Sequence, residues 1–407
     1  MNPENNKHMT SMRRPKFRLT RNLRKSILQG HPWVYREAIQ PLDNGVRPDK
    51  ACLAQVEDAK GEIAWAIFDP HGPLALRILS LESAPPSEKN EFFERRFARA
   101  WSLRKSWLTS SSRPTTAFRL FNGEGDGLPG LVCDLYDKTA VLQFDGRGPG
   151  EFWNREQISS FLQRELHVTS VVEKVRRPSK DEAPLLSIFG PLVTSPVPVL
   201  ENGAKFEVDI VRGQKTGFFL DQRDNRLFVR EIARGKTVLN LFSYTGGFSI
   251  SAGLGGAAHV TSVDLSKDAV QECGNGFERN GLDPKTHAGL AADVFDFMKT
   301  GKETWDHVIV DPPSMSHSED RKELAVQKYT ELFAQAIRRV RRDGEISLSS
   351  CSSHISFEDF HKITTESLSQ ARRKGTVLRV SGQGADHPYP NACPELRYLK
   401  FFHLTLD

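Results

Sequence analysis

Apolar and polar positions along this chain keep to two periods. Between Leu53 and Ile78 they come in short runs, Leu53 to Val56, Glu62 to Phe68 and Leu74 to Ile78, which predict strands of a small β-rich module. From Lys89 to Leu108 the spacing becomes helical: Phe92, Phe93, Phe97, Ala100, Trp101 and Leu103 recur on one face, with Arg95, Arg96, Arg99, Arg104 and Lys105 between them. The aromatics of that helix are core, and its arginines extend a basic surface. Strand patterns flank turns at 122–130 and at Asp137-Lys138, a helical stretch runs from Phe152 to Leu166, and further strands follow Val168. Glu201-Asn202-Gly203 is a hairpin turn, and from Lys236 strands and helices alternate to the end of the chain.

The alternating part starts with a βαβ pattern. Val238, Leu239, Leu241 and Phe242 form a short apolar run, as a strand buried on both faces of a parallel sheet requires. Gly246 and Gly247 mark the turn, the small residues from Ser249 to Gly256 fit a helix packed closely on the sheet, and His259 to Val263 fits the next strand, ending at Asp264. The third strand should end at Ala291, Ala292 and Asp293, the fourth at Asp311-Pro312-Pro313 and the fifth at Cys351. The expected fold class is α/β, with a Rossmann-like domain over residues 201–407. It follows an unstructured tail (1–15), a β-rich domain (16–86) and a small α+β central domain (87–200).

In such sheets the ligand binds at the carboxyl ends of the strands, where glycine admits close backbone approach and a carboxylate after the second strand accepts from a ribose diol. A dinucleotide would call for a third, helix-packing glycine, but Phe248, Ser249 and Ile250 follow Gly247, and no Walker lysine is present. S-adenosylmethionine, with a ribose and no phosphates, fits better. A glycine turn alone is often no more than a tight turn.

Composition narrows the setting. No apolar run reaches the length of a membrane span and the N-terminus has no hydrophobic signal core, so the expectation is a cytoplasmic protein without a membrane partner. Five scattered cysteines, with no C-x-x-C pair, suggest neither a disulfide framework nor a metal site. Net charge is only +5, yet residues 1–36 carry nine Lys or Arg against one Glu, either a solvated segment or a basic arm for nucleic-acid phosphates.

The basic stretch RLTRNLRKSILQG followed by Gly30-His31-Pro32-Trp33-Val34 resembles the opening of PUA-type RNA-binding domains attached to RNA methyltransferases. Trp33 reads as a core anchor rather than a base-stacking platform, and Arg21, Arg24 and Lys25 as the RNA contacts. The motifs TGFFLDQRDNR, NLFSYTGGFS, SVDLS, VIVDPPS and SSCSS, with HPWV near the start, GEGDGLPGL in the middle and GADHP near the end, resemble the RlmI-type 23S rRNA 5-methylcytosine methyltransferases. That resemblance spans nearly the whole chain from Phe17. It implies a PUA domain, a central domain and a Rossmann-like class I methyltransferase domain, with S-adenosylmethionine as cofactor and ribosomal RNA as partner. A second copy of the chain is a further candidate partner, since the sequence gives no oligomeric state.

The resemblance also implies roles: cofactor binding for Tyr244, Gly246, Asp264 and Asp293, with Gln222 and Arg223 beside the methionine moiety; base handling for Asp311, with Pro312 and Pro313 next to it; and the nucleophile for Cys351. A free cysteine at a strand end is most often a small buried hydrophobe, so this last role rests on the resemblance. The sequence departs from the family pattern at Met315, where an aromatic is usual, and around Cys393, which reads as an ordinary core cysteine. A D-P-P motif also serves amino-directed methyltransferases, which leaves an RNA N-methyltransferase as the second reading. An RNA-binding assembly factor without catalysis is the third.

Overall fold

The structure is a computed structural model that describes residues 14–41, 48–86, 91–108, 113–176, 183–315 and 321–407. Of the expected unstructured tail, residues 1–13 lie outside the described residues, whereas Pro15 already accepts from the Gln55 amide at 3.0 Å and leads into the first strand.

The N-terminal sheet has six strands in the order Trp33–Tyr35, Leu74–Ser80, Gly61–Phe68, Cys52–Asp58, Lys16–Leu19 and Ile39–Pro41. Phe17, Ile27, Val34, Val56, Phe68 and Leu76 fill its core. Residues on its other face, Leu53, Trp65, Ile67 and Leu79, join a second core built from the helix Glu91–Leu108 and a five-stranded sheet. That sheet runs Leu185–Phe189, Ser170–Lys174, Thr139–Phe144, Leu131–Tyr136 and Ala117–Asn122. A shared apolar core between two sheets fixes their relation more firmly than a linker would. The ribbon Val197–Glu201 and Ala204–Val208 turns at Asn202 and Gly203, both with positive φ (49° and 79°), as the hairpin signal in the sequence requires.

The C-terminal sheet carries the site, and its strands are numbered here: β1 Thr237–Leu241, β2 His259–Asp264, β3 His287–Ala291, β4 Trp305–Val310, β5 Val340–Ser350, β6 Gly375–Ser381 and β7 Lys400–Leu406. Their order is β3-β2-β1-β4-β5-β7-β6, with β7 antiparallel to both of its neighbours. Alternate residues of β1 and β4 serve opposite faces. Val238 and Ile309 pack under the helices Arg223–Ile232 and Gly247–Leu254, while Leu239, Leu241, Val308 and Val310 pack under Lys322–Ile337 and Phe357–Ala371. This two-sided burial is why the strands read as continuous apolar runs. Chain order reverses between β1 and β4, so the crevice at their carboxyl ends is the place for a ligand.

Candidate functional site

The turn after β1 is held in an uncommon backbone conformation. Phe242, Tyr244 and Gly246 have φ of 57°, 47° and 82°. For Phe and Tyr that conformation costs on the order of 1 kcal/mol or more each, a strain typical of ligand-binding turns. Gly246 is required twice over: besides its positive φ, a Cβ there would collide with Cys273 Sγ. Asp264, at the end of β2, braces the turn, its Oδ2 accepting from the Tyr244 amide at 2.8 Å and its Oδ1 from the Ser266 amide at 2.9 Å. Each carboxylate oxygen keeps a further lone pair for a ligand hydroxyl. Beside it Leu265 is 73% exposed, an apolar side chain on the rim that sequence reasoning did not single out. The Tyr244 ring meets Phe219 edge-on at 5.4 Å, and burial raises its phenol pKa.

Asp293 stands on the same rim, since the Ala292 amide donates to the Asp264 carbonyl at 2.9 Å. Its carboxylate caps the helix Val294–Thr300, accepting from the Asp296 amide at 3.1 Å, so an ordinary capping role accounts for this residue as well.

Asp311 follows β4 and Cys351 follows β5, on neighbouring parallel strands in which Val310 pairs with Leu348. Gln222 links the two ends, its Nε2 donating to Asp311 Oδ1 and to Ser349 Oγ, both at 2.9 Å. The amide is itself fixed, because Asn225 Nδ2 donates to Gln222 Oε1 at 2.7 Å and Ser381 Oγ donates to Asn225 Oδ1 at 2.7 Å. Burial pushes the Asp311 carboxyl up to about 6; Asp221 adds to this, while Ser349, Lys215 and Gln222 offset part of it. Burial likewise pushes the Cys351 thiol up to about 11, with Asp311 and Asp221 raising it further and Lys215 and Lys400 opposing them. Pro312 is buried and Pro313 exposed, and Met315 packs on the core below β4.

Two segments that the sequence had not connected to the site complete it. Lys215 Nζ donates to Asp221 Oδ2 at 2.5 Å, Tyr398 OH donates to the same oxygen at 2.7 Å, and the ammonium lies 4.7 Å from the Phe219 ring centre. Burial raises the Asp221 carboxyl, but Lys215, His387 and Tyr398 outweigh it and hold the group well below its ordinary range. The turn carrying Lys215 is anchored on the central sheet, where Thr216 Oγ1 donates to Asp134 Oδ2 at 2.6 Å and lies 2.9 Å from Tyr136 OH. Asp134 in turn takes both arms of Arg119, at 2.8 and 2.9 Å.

Three of the residues expected at ligands have partners within the chain. Arg223 is buried with its guanidinium on Asp386 and Asp224, at 2.9 and 3.0 Å, and braces the GADHP segment. Gln222 is committed to Asp311 and Ser349. Arg24 donates to Asp58 Oδ1 at 2.8 Å and to the Gly61 and Glu62 carbonyls, tying the first helix to a hairpin. Arg21 and Lys25 are exposed. Trp33 is half-buried as an anchor, its Nε1 donating to Glu124 at 3.0 Å, and it borders a cavity of about 240 Å³ together with Arg21, Ser26, His31 and Tyr35.

Comparison with known proteins agrees with this layout. Residues 17–81 match the PUA-like domain family and residues 170–349 match the S-adenosylmethionine-dependent methyltransferase family. The chain is 32% identical to the ribosomal RNA large subunit methyltransferase of Deinococcus radiodurans, over 98% of this chain and 99% of that protein. It is also 32% identical to ribosomal RNA large subunit methyltransferase I of Klebsiella pneumoniae strain 342, over 97% and 99%. Among solved structures, one from Streptococcus mutans named as a SAM-dependent methyltransferase superposes with a TM-score of 0.81 at 26% identity, over 96% of this chain and 99% of that one. Another, named as a methyltransferase complexed with SAH, gives a TM-score of 0.83 at 26% identity over the same shares. The cofactor is S-adenosylmethionine, and the residues here suit it. Among the described residues the buried atoms Ser243 Oγ and Asp221 Oδ1 have no hydrogen-bond partner, which leaves polar capacity on two segments bordering the rim.

Proposed function

Because the chain belongs to the family of S-adenosylmethionine-dependent ribosomal RNA large subunit methyltransferases, we propose that it forms 5-methylcytosine in large-subunit ribosomal RNA, in the cytoplasm, through a transient covalent bond to Cys351. The observation that carries this reading is the joining of the Asp311 and Cys351 strand ends by one fixed amide, Gln222.

A nitrogen acceptor has a lone pair of its own, whereas C5 of cytosine becomes nucleophilic only after a thiolate has added at C6. The cofactor supplies an electrophilic methyl carbon. Cys351 forms the bond from sulfur to C6, moving the C5–C6 π electrons onto C5, which takes the methyl group. Asp311, its carboxyl pushed up to about 6, would share a proton with N3 and so withdraw electrons from the ring during that addition. Loss of the C5 proton restores the double bond and releases the thiolate. The cytosine reaches this crevice out of its stack, from a loop or by flipping. Asp264 would take the ribose diol, Gly246 and Tyr244 would border the cofactor, and Asp293 would accept from the adenine amine.

RNA carrying 5-fluorocytosine at the target tests this directly, since the fluorine cannot leave as a proton does. Wild-type protein should stay attached to that RNA through denaturing electrophoresis, and Cys351→Ala should not. A Cys351→Ala variant with full methyl transfer would move the reaction to a nitrogen acceptor.

A further inference from the structure

Among the described residues, one group of three His, Cys, Asp or Glu side chains brings its donor atoms within 4.8 Å of one another: His31, Cys393 and Glu395. His31 belongs to the N-terminal domain, whereas Cys393 and Glu395 lie in the loop before β7. His31 Nε2 is 3.4 Å from Glu395 Oε1, across 364 residues of chain, and Glu395 also accepts from the Cys393 thiol. Cys393 is fully buried, His31 half-buried and Glu395 exposed, so an ion has a way in from solvent past Glu395.

The backbone holds these donors in place on both sides. Gly30 brings the N-terminal domain against the loop, where a Cβ on it would stand 3.9 Å from the Ala392 methyl. The next residue, His31, is tied back by its amide, which donates to the Ser26 carbonyl at 3.0 Å. On the other side Cys393 precedes the short helical turn Pro394–Leu396. Its amide donates to the Pro390 carbonyl at 2.9 Å, and its carbonyl accepts from the Leu396 amide at 3.1 Å. Gln383 Nε2 fastens the end of that turn through the Leu396 carbonyl, at 2.9 Å. Glu124 also bears on the thiol, but its carboxylate is committed to Trp33 and Arg77.

Thiolate, imidazole and carboxylate are the donors that zinc takes, and around a tetrahedral zinc such atoms stand roughly 3.3 to 3.6 Å apart. The pair His31 and Glu395 is already at that spacing, and closing the sulfur onto the same centre needs a shift on the order of 1 Å. We propose that His31, Cys393 and Glu395 form a zinc site that clasps the N-terminal domain to the loop before β7, with water in the fourth position. The thiolate and the carboxylate offset both charges of the ion. On binding, the thiol proton goes to solvent. The imidazole proton moves from Nε2 to Nδ1, which gives up its long contact with the Trp33 amide, at 3.4 Å. Scattered cysteines without a C-x-x-C pair gave no hint of this, because one partner of Cys393 is two residues away and the other is near the start of the chain.

Full-length protein stripped with a chelator and titrated with cobalt(II) chloride reports such a site, since a thiolate bound to cobalt absorbs by sulfur-to-metal charge transfer. One equivalent should produce that band, and zinc sulfate should displace it. Cys393→Ser should abolish the band, and His31→Gln and Glu395→Gln should each weaken binding by more than about tenfold. Zinc sulfate should raise the thermal midpoint of the wild-type protein and leave that of His31→Gln unchanged. No band at one equivalent overturns the proposal, and so does an undiminished band in Cys393→Ser, which would assign the metal to another thiol. Equal wild-type midpoints with and without zinc would overturn the clasp. If serine at the buried position prevents folding, the exposed change Glu395→Gln carries the comparison, and wild-type cobalt affinity in that variant overturns the proposal.

Discussion

Gln222 Nε2 lies 2.9 Å from Asp311 Oδ1 and donates to it. Neutral donors, Ser349 and Gln222, do not compensate a carboxylate for burial, and the Asp311 carboxyl stays raised, at about 6 against an ordinary 3.8. A raised acid binds more protons in the folded than in the unfolded state between those two values. Stability therefore falls as pH rises through that window, and the full cost is present above it. Asp311→Asn keeps an acceptor for Gln222 and removes the charge. It should be inactive, yet more stable than wild type at pH 7.5 by on the order of 1 to 2 kcal/mol, with the difference gone at pH 4. Urea midpoints at the two pH values decide it, and an equal difference at both would refute the account.

Asp264 braces the turn after β1, and in the proposed site it would also accept from the ribose. Asp264→Ala should weaken S-adenosylmethionine binding by on the order of 1 to 3 kcal/mol in a calorimetric titration. Asp264→Asn should not restore it, because its NH₂ group would face either the Tyr244 or the Ser266 amide, both donors. Wild-type affinity in either variant would remove Asp264 from the cofactor site.

The turn carrying Lys215 touches the reacting rim but is anchored elsewhere, on Asp134 and Tyr136. Thr216→Val preserves shape and deletes those contacts. It should cost about 1 kcal/mol of stability and lower kcat while leaving cofactor affinity unchanged. Unchanged turnover would mean that the anchoring does not matter to the site.

In the N-terminal domain, Arg21 and Lys25 are exposed and Arg24 is engaged with Asp58. Neutralising Arg21 or Lys25 should weaken RNA binding and reduce the slope of log affinity against log salt by about 1 each. Arg24→Ala should instead lower the thermal midpoint. A salt slope that ignores Arg21 and Lys25 would place the RNA contacts elsewhere.

Much of the site was legible because its parts lie at the ends of apolar runs. Asp264, Asp311 and Cys351 each close a strand, and strand ends in a parallel sheet converge whatever the intervening sequence. Gly246 was legible for a related reason, since its turn allows no side chain. What the sequence could not show came from contacts distant in the chain: the turn carrying Lys215 is anchored on Asp134 and Tyr136 of the central sheet, and Tyr398 reaches Asp221 from the loop before β7. Nothing local marks such residues, because their partners are met only after folding. The same reason explains Arg223 and Arg24. A basic side chain near a motif reads as free for a ligand until the carboxylates that occupy it, Asp386 and Asp58, are brought in from elsewhere.

Trp33 and Arg77, both on the first sheet, direct their donors to one carboxylate of the central region, Glu124, at 3.0 and 2.6 Å, and the Glu124 side chain is only 8% exposed. A truncated enzyme beginning after the first sheet would deprive that anion of both donors and bare to water the apolar core that Leu53, Trp65, Ile67 and Leu79 cover. Loss of function in such a fragment would then report on injury as much as on missing RNA contacts. The first sheet is less a detachable handle than a keystone, and its contribution is best dissected one surface charge at a time.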